Sequence, residues 1–287
     1  MILIDNGGTG FQPRHRRAIV TLVVGEEYAR IWKVMCEASW QAYAERWGYD
    51  LLVITEPLDA SPRGMERSFA WQKLLILDQP WSRAYERIVW IDADILISDI
   101  APDIVGCVPD PRGVGVCICG DQMSEAEKHI YVERMHGIEV DPRLAMRAWA
   151  FHEGNRMTAN GVADESVPML STGVLVLSPQ HHNEALLETY ARDGAGRLYE
   201  QPHMSEVLHR RGLVQAISPR FNWLVHEVLV LNFTNWGQPM SQADTETVVA
   251  HMARELEKAY FLHYAGSMNL LRHLAQKTEA AAFGAAA

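Results

Sequence analysis

Two aspartates stand two positions apart, directly after a short apolar segment, in the sequence Trp90-Ile91-Asp92-Ala93-Asp94. Side chains two positions apart on a strand point to the same side. Carboxylates held this close repel each other, and a hard divalent cation between them removes that cost. The spacing therefore predicts a metal site formed by Asp92 and Asp94. The alternative is a turn at the end of a strand, with both carboxylates solvated.

A candidate third ligand is His263, which follows the apolar residues Phe261 and Leu262 and precedes Gly266. An imidazole nitrogen suits a borderline ion such as Mn²⁺ beside two carboxylates. The chain contains 12 histidines, and one that follows an apolar segment is also compatible with a hydrogen-bonded position in the core. Spacing alone therefore does not single out His263.

The elements that must position these residues alternate between strands and helices. Apolar, β-branched segments predict strands, and residues 28–47 and 68–77 have helical spacing. The predicted strands are residues 18–24, 50–57, 87–97, 113–121 and 171–179, followed by short strands within 213–219 and 260–266. This order predicts an α/β fold with an open, mostly parallel, Rossmann-like sheet and helices on both faces. Asp92 and Asp94 then lie at the carboxyl end of a strand, where open α/β sheets bind ligands.

The length of 287 residues allows one large domain or two small ones. We predict a loose or peripheral N-terminal arm over residues 1–17, a single domain over 18–268 and a helical tail over 269–287. Residues 122–167 contain helical patches without a clean period. They are predicted to form an excursion over the sheet rather than a separate domain.

The chain is acidic, with 36 Asp and Glu against 26 Lys and Arg, which gives a formal net charge of −10. That sign disfavours nonspecific binding of nucleic acid, although a local cation still allows a small phosphate-bearing ligand. No CxxC pair is formed by the four cysteines, which predicts buried free thiols in a reducing compartment. No apolar run has the length of a transmembrane helix, and the first residues do not resemble a signal peptide. We therefore predict a cytoplasmic protein.

From about residue 18 to residue 266 the chain contains, in order, the blocks TLVVGEEY, SFAWQKLLIL, IVWIDADILISDI, MLSTGVLVLSP, LYEQPHMSEVL, SPRFNWL and FLHYAG. These blocks and their order resemble the retaining GT-A glycosyltransferases of family 8. The family includes glycogenin and bacterial lipopolysaccharide galactosyltransferases. The segment RWGYDLLVITEP also resembles the family 34 galactosyl- and xylosyltransferases, which are retaining as well.

The resemblance implies a site for a UDP-sugar and a metal ion. Asp92, Asp94 and His263 would bind Mn²⁺, with Mg²⁺ as an alternative ion. Tyr28 would stack on the base, and Lys73 would pair with the donor phosphate or with the carboxylates. The residues implied to contact the nucleotide sugar are Thr21, Val23, Tyr28, Lys73, Asp92, Ala93, Ser171, Thr172, Gly173 and Gly266. Without the resemblance, Tyr28 is equally compatible with packing in a first helical turn, and Lys73 with a solvated helix face.

Glu200 and Gln201 fall where the family places an acidic residue and an amide beside the anomeric carbon. The resemblance implies a catalytic role for one of them. Retention would proceed either through a covalent glycosyl intermediate on a side chain, or with the leaving group and the acceptor on the same face of the sugar. The alternative for Glu200 is an acid that stabilises a helix N-terminus next to Pro202.

The implied function is metal-dependent transfer of a hexose from a UDP-sugar to a saccharide or to a lipid-linked saccharide. A lipid-linked acceptor would bring the protein to a membrane surface, and residues 122–167 would lie on the acceptor side. The chain departs from the family after Gly266, where Ser-Met-Asn replaces Lys-Pro-Trp and Arg272 offers a substitute cation. Ser171 stands where the family has Asn.

Two other classes stay open. One is a noncatalytic protein that binds a nucleotide sugar. The other is a phosphatase of the haloacid dehalogenase type, in which the first Asp attacks phosphorus. That class has its aspartate pair near the start of the chain, and Thr or Val where Leu96 stands here.

Overall fold

The computed structural model describes residues 2–4, 12–162, 167–194, 196–238 and 241–286. Parts of three predicted segments lie outside these residues: positions 1 and 5–11 of the arm, 163–166 of the excursion and 287 of the tail.

A seven-stranded sheet forms the centre of the described part of the chain. Its strands are β1 (Ile2–Ile4), β2 (Arg17–Leu22), β3 (Asp50–Ile54), β4 (Arg87–Ile91), β6 (Val114–Ile118), β7 (Leu170–Leu177) and β8 (Val214–Ala216), in the order β1-β3-β2-β4-β7-β6-β8. Neighbours are parallel, except that β7 runs antiparallel to both β4 and β6. The mostly parallel α/β sheet predicted from the sequence is therefore confirmed.

A second, three-stranded sheet lies against the end of β4. It is formed by β5 (Ile95–Ile97), β9 (Trp223–Leu224) and β10 (Phe261–His263), in the order β5-β10-β9. Since β5 begins directly after Asp94 and His263 pairs with Ile95, this small sheet brings the end of β10 next to the aspartate pair.

The α-helices of the described residues are α1 (Glu26–Met35), α2 (Glu37–Trp47), α3 (Pro62–Glu66), α4 (Glu125–His136), α5 (Ala145–Ala159), α6 (Pro179–Ala191), α7 (Gln201–Arg210), α8 (Val225–Asn232), α9 (Gln242–Leu256) and α10 (Met268–Ala286). Helices cover both faces of the central sheet, with α6 and α7 on one face and α1 and α2 on the other. Alternate residues of β2 enter different cores, with Ala18 and Val20 on one face and Ile19 on the other. A strand buried on both faces is continuously apolar, which is why these segments show no polar alternation.

Two predicted helices differ in detail. The segment 28–47 forms two helices rather than one, because α1 ends and α2 begins at Cys36. The segment 68–77 forms a 3₁₀-helix over Phe69–Leu75, with the hydroxyl of Ser68 accepting a hydrogen bond from the amide of Ala70. Gly48 ends α2 in the left-handed conformation, as its position predicts.

Both predicted end segments contain regular secondary structure in the described residues. Residues 2–4, which belong to the predicted arm, form the edge strand β1 beside β3. The predicted tail is α10, and it packs against α1 because Leu270, Leu271 and Ala275 are buried in an apolar cluster with Ile31. No described helix is both long and apolar enough to cross a membrane.

The excursion consists of α4 and α5, which pack against each other and, through α4, against α8. Ser124 begins α4 with a capping box, in which its hydroxyl and the Glu127 carboxylate each accept a hydrogen bond from a free backbone amide. All four cysteines are free, and Cys107 is exposed whereas the other three are buried. The cytoplasmic location stays a prediction.

Candidate metal centre and its surroundings

The structure brings Asp92, Asp94 and His263 together where β4 ends. One ligand atom from each lies within 4.8 Å of the others. The Nε2 atom of His263 is 3.1 Å from Oδ1 of Asp94 and 3.8 Å from Oδ2 of Asp92. The backbone holds this arrangement, since the amide of Asp92 donates to the carbonyl of Gly173 and the amide of Tyr264 donates to the carbonyl of Asp94.

Asn222 orients the imidazole of His263. The Nδ2 of Asn222 donates to both the carbonyl and the hydroxyl of Ser171, so its Oδ1 faces Nδ1 of His263 at 2.7 Å. Nδ1 must therefore carry the proton in that bond. In the neutral ring, this leaves the lone pair of Nε2 directed at the two carboxylates, which is the usual arrangement of a metal-binding histidine.

The charges in the cluster depend on one another. Burial lowers the pKa of His263, but the carboxylates of Asp94 and Asp92 outweigh it and raise the pKa above its usual value. Burial alone would raise the pKa of Asp94, yet the neighbouring His263 lowers it. The two carboxylates therefore stabilise the protonated form of the ring relative to its neutral form. A divalent cation would take the place of that proton.

A buried lysine links the aspartates to Glu200. The Nζ atom of Lys73 lies 3.0 Å from Oδ1 of Asp92 and 2.9 Å from Oε1 of Glu200, and it donates to the carbonyl of Thr172 at 3.2 Å. The side chain of Lys73 is only 2% exposed. Burial would lower the pKa of Lys73, but Asp92 and Glu200 raise it above its usual value, so the ammonium is retained.

The antiparallel direction of β7 explains how its first residues reach this site. Ile91 at the end of β4 pairs with Val174, so Ser171, Thr172 and Gly173 lie beside the carboxyl end of β4. The hydroxyl of Thr172 donates to Oε1 of Glu200 at 2.8 Å.

Gly173 leaves room for the ring of His263. A Cβ atom at this position would lie 2.3 Å from Cε1 and 2.6 Å from Nδ1 of His263. A residue larger than glycine would therefore require either the imidazole or the backbone of β7 to shift. The contact of Gly173 with a donor sugar stays a prediction.

The residues predicted to contact the nucleotide differ in how deeply they are buried. Tyr28 lies in the first turn of α1 and is 48% exposed, and burial together with the charge of Asp94 raises the pKa of its hydroxyl. Thr21 is fully buried in β2, and its Oγ1 has no hydrogen-bond partner among the described residues. Val23 is buried, with its amide donating to the carbonyl of Ile54. The carbonyl of Ala93 accepts a hydrogen bond from the thiol of Cys36.

The side chains of Glu200 and Gln201 contact different parts of the structure. Glu200 is buried against Lys73 and Thr172, whereas Gln201 begins α7 and its amide donates to the sulfur of Cys119 at 3.6 Å. Gly266 lies in the exposed turn after β10 with φ of 67°.

Arg272 pairs with Glu27 and Asn269 rather than with the aspartate cluster. A role in holding phosphate would therefore require it to leave these partners.

Asn222 is the residue whose role the sequence does not reveal. It lies in the block SPRFNWL, and that block is the only signal for it in the sequence. Its partners, Ser171 and His263, are 51 and 41 positions away, so neither spacing nor periodicity relates the three.

The residues present fit a resident divalent cation. Two carboxylates and one imidazole nitrogen converge, and the hydrogen bond from Asn222 fixes the ring orientation. Carboxylates suit Mg²⁺ and Mn²⁺ alike, while a nitrogen ligand favours Mn²⁺.

Neither a protein-family model nor the sequence of a curated protein matches this chain. A solved structure of a glycosyltransferase involved in the glycosylation of the major capsid of PBCV-1 matches 89% of the chain and 98% of its own length, with 14% identity and a TM-score of 0.52. The apo structure of the bifunctional glycosyltransferase WbbM matches 89% of the chain, with 14% identity and a TM-score of 0.50. This chain spans about half, 47%, of the WbbM chain. At such identities the similarity establishes the fold, which is that of the GT-A glycosyltransferases.

Proposed function

We propose that this protein is a metal-dependent, retaining glycosyltransferase that transfers a hexose from a UDP-sugar to a saccharide or lipid-linked saccharide. The observation that carries the proposal is the cluster of Asp92, Asp94 and His263 at the carboxyl end of β4, in a chain with the GT-A fold. Open α/β sheets bind ligands at this edge. The cluster would offer carboxylate and imidazole ligands to a bound Mn²⁺ or Mg²⁺.

When bound, the divalent cation would neutralise negative charge on the departing diphosphate. The chain's own residues would position the donor. We assign Tyr28, half exposed and electrostatically coupled to Asp94, to the nucleotide base. The backbone around Thr21 and Val23 would line the same pocket, with Ala93 and Gly266 at its edge.

Ser171, Thr172 and Gly173 would face the donor sugar, because β7 presents them beside Asp92. Lys73 would hold Asp92 and Glu200 at a fixed separation, since one buried ammonium contacts both carboxylates.

In the transfer step, an acceptor hydroxyl oxygen bonds to the anomeric carbon while the bond from that carbon to the phosphate oxygen breaks. The electron pair leaves on UDP, and the hydroxyl proton passes to a phosphate oxygen or to a protein base. We propose that Gln201 or Glu200 is the side chain nearest this carbon. Glu200 is held by Lys73 and Thr172, so a nucleophilic role for it would require a change of partners.

A noncatalytic protein that binds a nucleotide sugar would use the same cluster. Tight UDP binding without donor hydrolysis or transfer would identify that function. The position of the aspartate pair disfavours the haloacid dehalogenase alternative. The pair follows β4 rather than a strand near the start of the chain, and it borders the antiparallel β7.

The test is calorimetric titration of UDP with Mn²⁺, with Mg²⁺ and with excess EDTA. We expect binding only with a metal ion, and Asp94→Asn should abolish both this binding and slow hydrolysis of the UDP-sugar. The exposed Asp78 provides the matched control, because Asp78→Asn removes the same charge away from the cluster. Equal UDP affinity in EDTA would contradict the metal assignment. Proton NMR of the first product would reveal an inverted anomer if the retaining assignment is wrong.

A further inference from the structure

A tight turn leads into α7 and brings Glu200 to Lys73. Glu200 directly precedes α7, and its Oε1 lies 2.9 Å from Nζ of Lys73. Tyr199, the residue before it, has φ of 53° and is the one residue other than glycine with positive φ in the described ranges. This conformation is strained for a residue that has a Cβ, and it persists only where surrounding contacts impose it. The position of Glu200 therefore depends on the contacts that hold this turn.

Asn160 connects the turn to the end of α5. It directly follows α5 and is 8% exposed. Its Oδ1 accepts a hydrogen bond from the amide of Leu198 at 3.2 Å, while its Nδ2 donates to the carbonyl of Arg156 at 2.6 Å. Because Nδ2 is bonded within α5, the orientation of the side chain amide is fixed and Oδ1 faces Leu198.

Gly196 allows the backbone of the turn to approach Asn160 closely. A Cβ atom at position 196 would overlap Oδ1 of Asn160. The side chain of Leu198 packs against the apolar cluster that contains Met157 of α5. A backbone hydrogen bond, a close glycine contact and an apolar contact thus join the turn to α5.

A second contact joins Asn160 to the chain beyond Glu200. The ring of His203, three positions after Glu200, forms a hydrogen bond with the backbone of Asn160. This ring is also packed against Trp71, with ring centroids 5.7 Å apart, and Trp71 lies in the 3₁₀-helix that carries Lys73. Asn160 therefore contacts the chain on both sides of Glu200, and no described hydrogen bond joins it to the metal cluster.

We propose that Asn160 is a positioning residue, which holds the amide of Leu198 and thereby fixes the turn that places Glu200 against Lys73. The proposal rests on the glycosyltransferase function and adds a residue that acts through Glu200 without touching the donor. It also gives α5, a part of the excursion, a role in supporting the proposed reaction site.

Asn160→Ala should lower turnover without weakening nucleotide binding. The amide of Leu198 would lose its acceptor, and Tyr199 could return to the negative φ that residues with a Cβ prefer. That rotation changes the direction of the Glu200 side chain, and a misplacement of about 1 Å can reduce a rate about 100-fold. We expect kcat for hydrolysis of the UDP-sugar with Mn²⁺ to fall roughly 10- to 100-fold. The Kd for UDP with Mn²⁺ should stay within about twofold of the wild type, since the metal ligands are unchanged.

Asn160→Asp separates positioning from stability. The carboxylate keeps an acceptor for Leu198, but it loses the donor to the carbonyl of Arg156, and its charge is unfavourable at the C-terminus of α5. We therefore expect kcat to be largely restored, although the Tm should fall at least as far as in Asn160→Ala. A kcat that falls in parallel with the Tm in both variants would show that Asn160 has a structural role only, and would overturn the proposal.

Gly196→Ala disturbs the same contact while Asn160 is retained. The added Cβ would push Oδ1 of Asn160 away from Leu198, so kcat should fall as in Asn160→Ala. This variant tests the proposal even if Asn160→Ala does not fold. Asn155→Ala is the matched control, because it removes an amide from an exposed position of the same helix and should change neither kcat nor Kd.

Hydrogen exchange measures the contact without turnover. The amide of Leu198 should exchange at least tenfold faster in Asn160→Ala than in the wild type, and as in the wild type in Asn155→Ala. Unchanged exchange at Leu198, or a wild-type kcat in both Asn160→Ala and Gly196→Ala, would overturn the proposal. Failure of the glycosyltransferase function has a different signature, because the wild type would then neither bind UDP with Mn²⁺ nor hydrolyse any UDP-sugar. Failure of the positioning role alone leaves both properties of the wild type intact.

Discussion

Replacing Gly173 with alanine should weaken the metal site without removing a ligand. The added Cβ would lie 2.3 Å from Cε1 of His263, about 0.7 Å inside the 3.0 Å limit that Cβ atoms respect. The ring is nearly fully buried and its Nδ1 is held by Asn222, so it cannot simply rotate into solvent. Metal–ligand distances tolerate only about 0.2 Å. The required displacement is therefore several times larger than a metal site accepts.

We expect Gly173→Ala to raise the Kd for Mn²⁺ roughly 10- to 100-fold, the range found when a residue supporting a metal ligand is lost. Overpacking should also lower the free energy of unfolding by about 1–3 kcal/mol. Calorimetry with Mn²⁺ measures the first effect, and urea denaturation in EDTA measures the second.

Gly237→Ala is the matched control, because no atom of the described residues lies within 4 Å of the added Cβ at that position. It should leave both quantities within error of the wild type. The reasoning would be refuted by a folded Gly173→Ala protein that binds Mn²⁺ as tightly as the wild type. That result would mean that β7 moves instead of the ring, or that His263 is not a ligand.

Further predictions concern the residues around the cluster. Asn222→Ala should lower Mn²⁺ affinity about 10- to 100-fold, because His263 loses the acceptor that orients its ring; unchanged affinity in calorimetry would contradict this role. Lys73→Met should reduce the free energy of unfolding by about 3–5 kcal/mol, since it leaves the carboxylate of Glu200 buried without its cation. Adding Glu200→Gln to Lys73→Met should recover part of that stability, as measured by urea denaturation. A Lys73→Met protein as stable as the wild type would disprove the argument. Burial raises the pKa of Glu227 to about 8, so the unfolded chain loses this proton from about pH 4.5 while the folded protein keeps it. The wild type should therefore lose stability relative to Glu227→Gln as the pH rises from about 5 to 8, by on the order of a few kcal/mol; parallel stability curves would show that Glu227 is not buried in its neutral form.

The sequence by itself determined the class of fold. Segments such as residues 18–20 and 88–91 are continuously apolar because helices cover both faces of the sheet, and this pattern can be read from one sequence without an alignment. The aspartate pair was also visible, since Asp92 and Asp94 are two positions apart at the end of such a segment. Their chemistry follows from spacing, which requires no knowledge of distant contacts.

Tertiary structure decided how the rest of the site is assembled. His263 stands apart from the other histidines because β10 pairs with β5, directly after Asp94. Lys73 has the sequence context of a helix face, yet in the fold it is buried between Asp92 and Glu200. The role of Asn222 depends on contacts with residues 51 and 41 positions away. Such contacts are set by how strands pair and helices pack, so no local pattern encodes them.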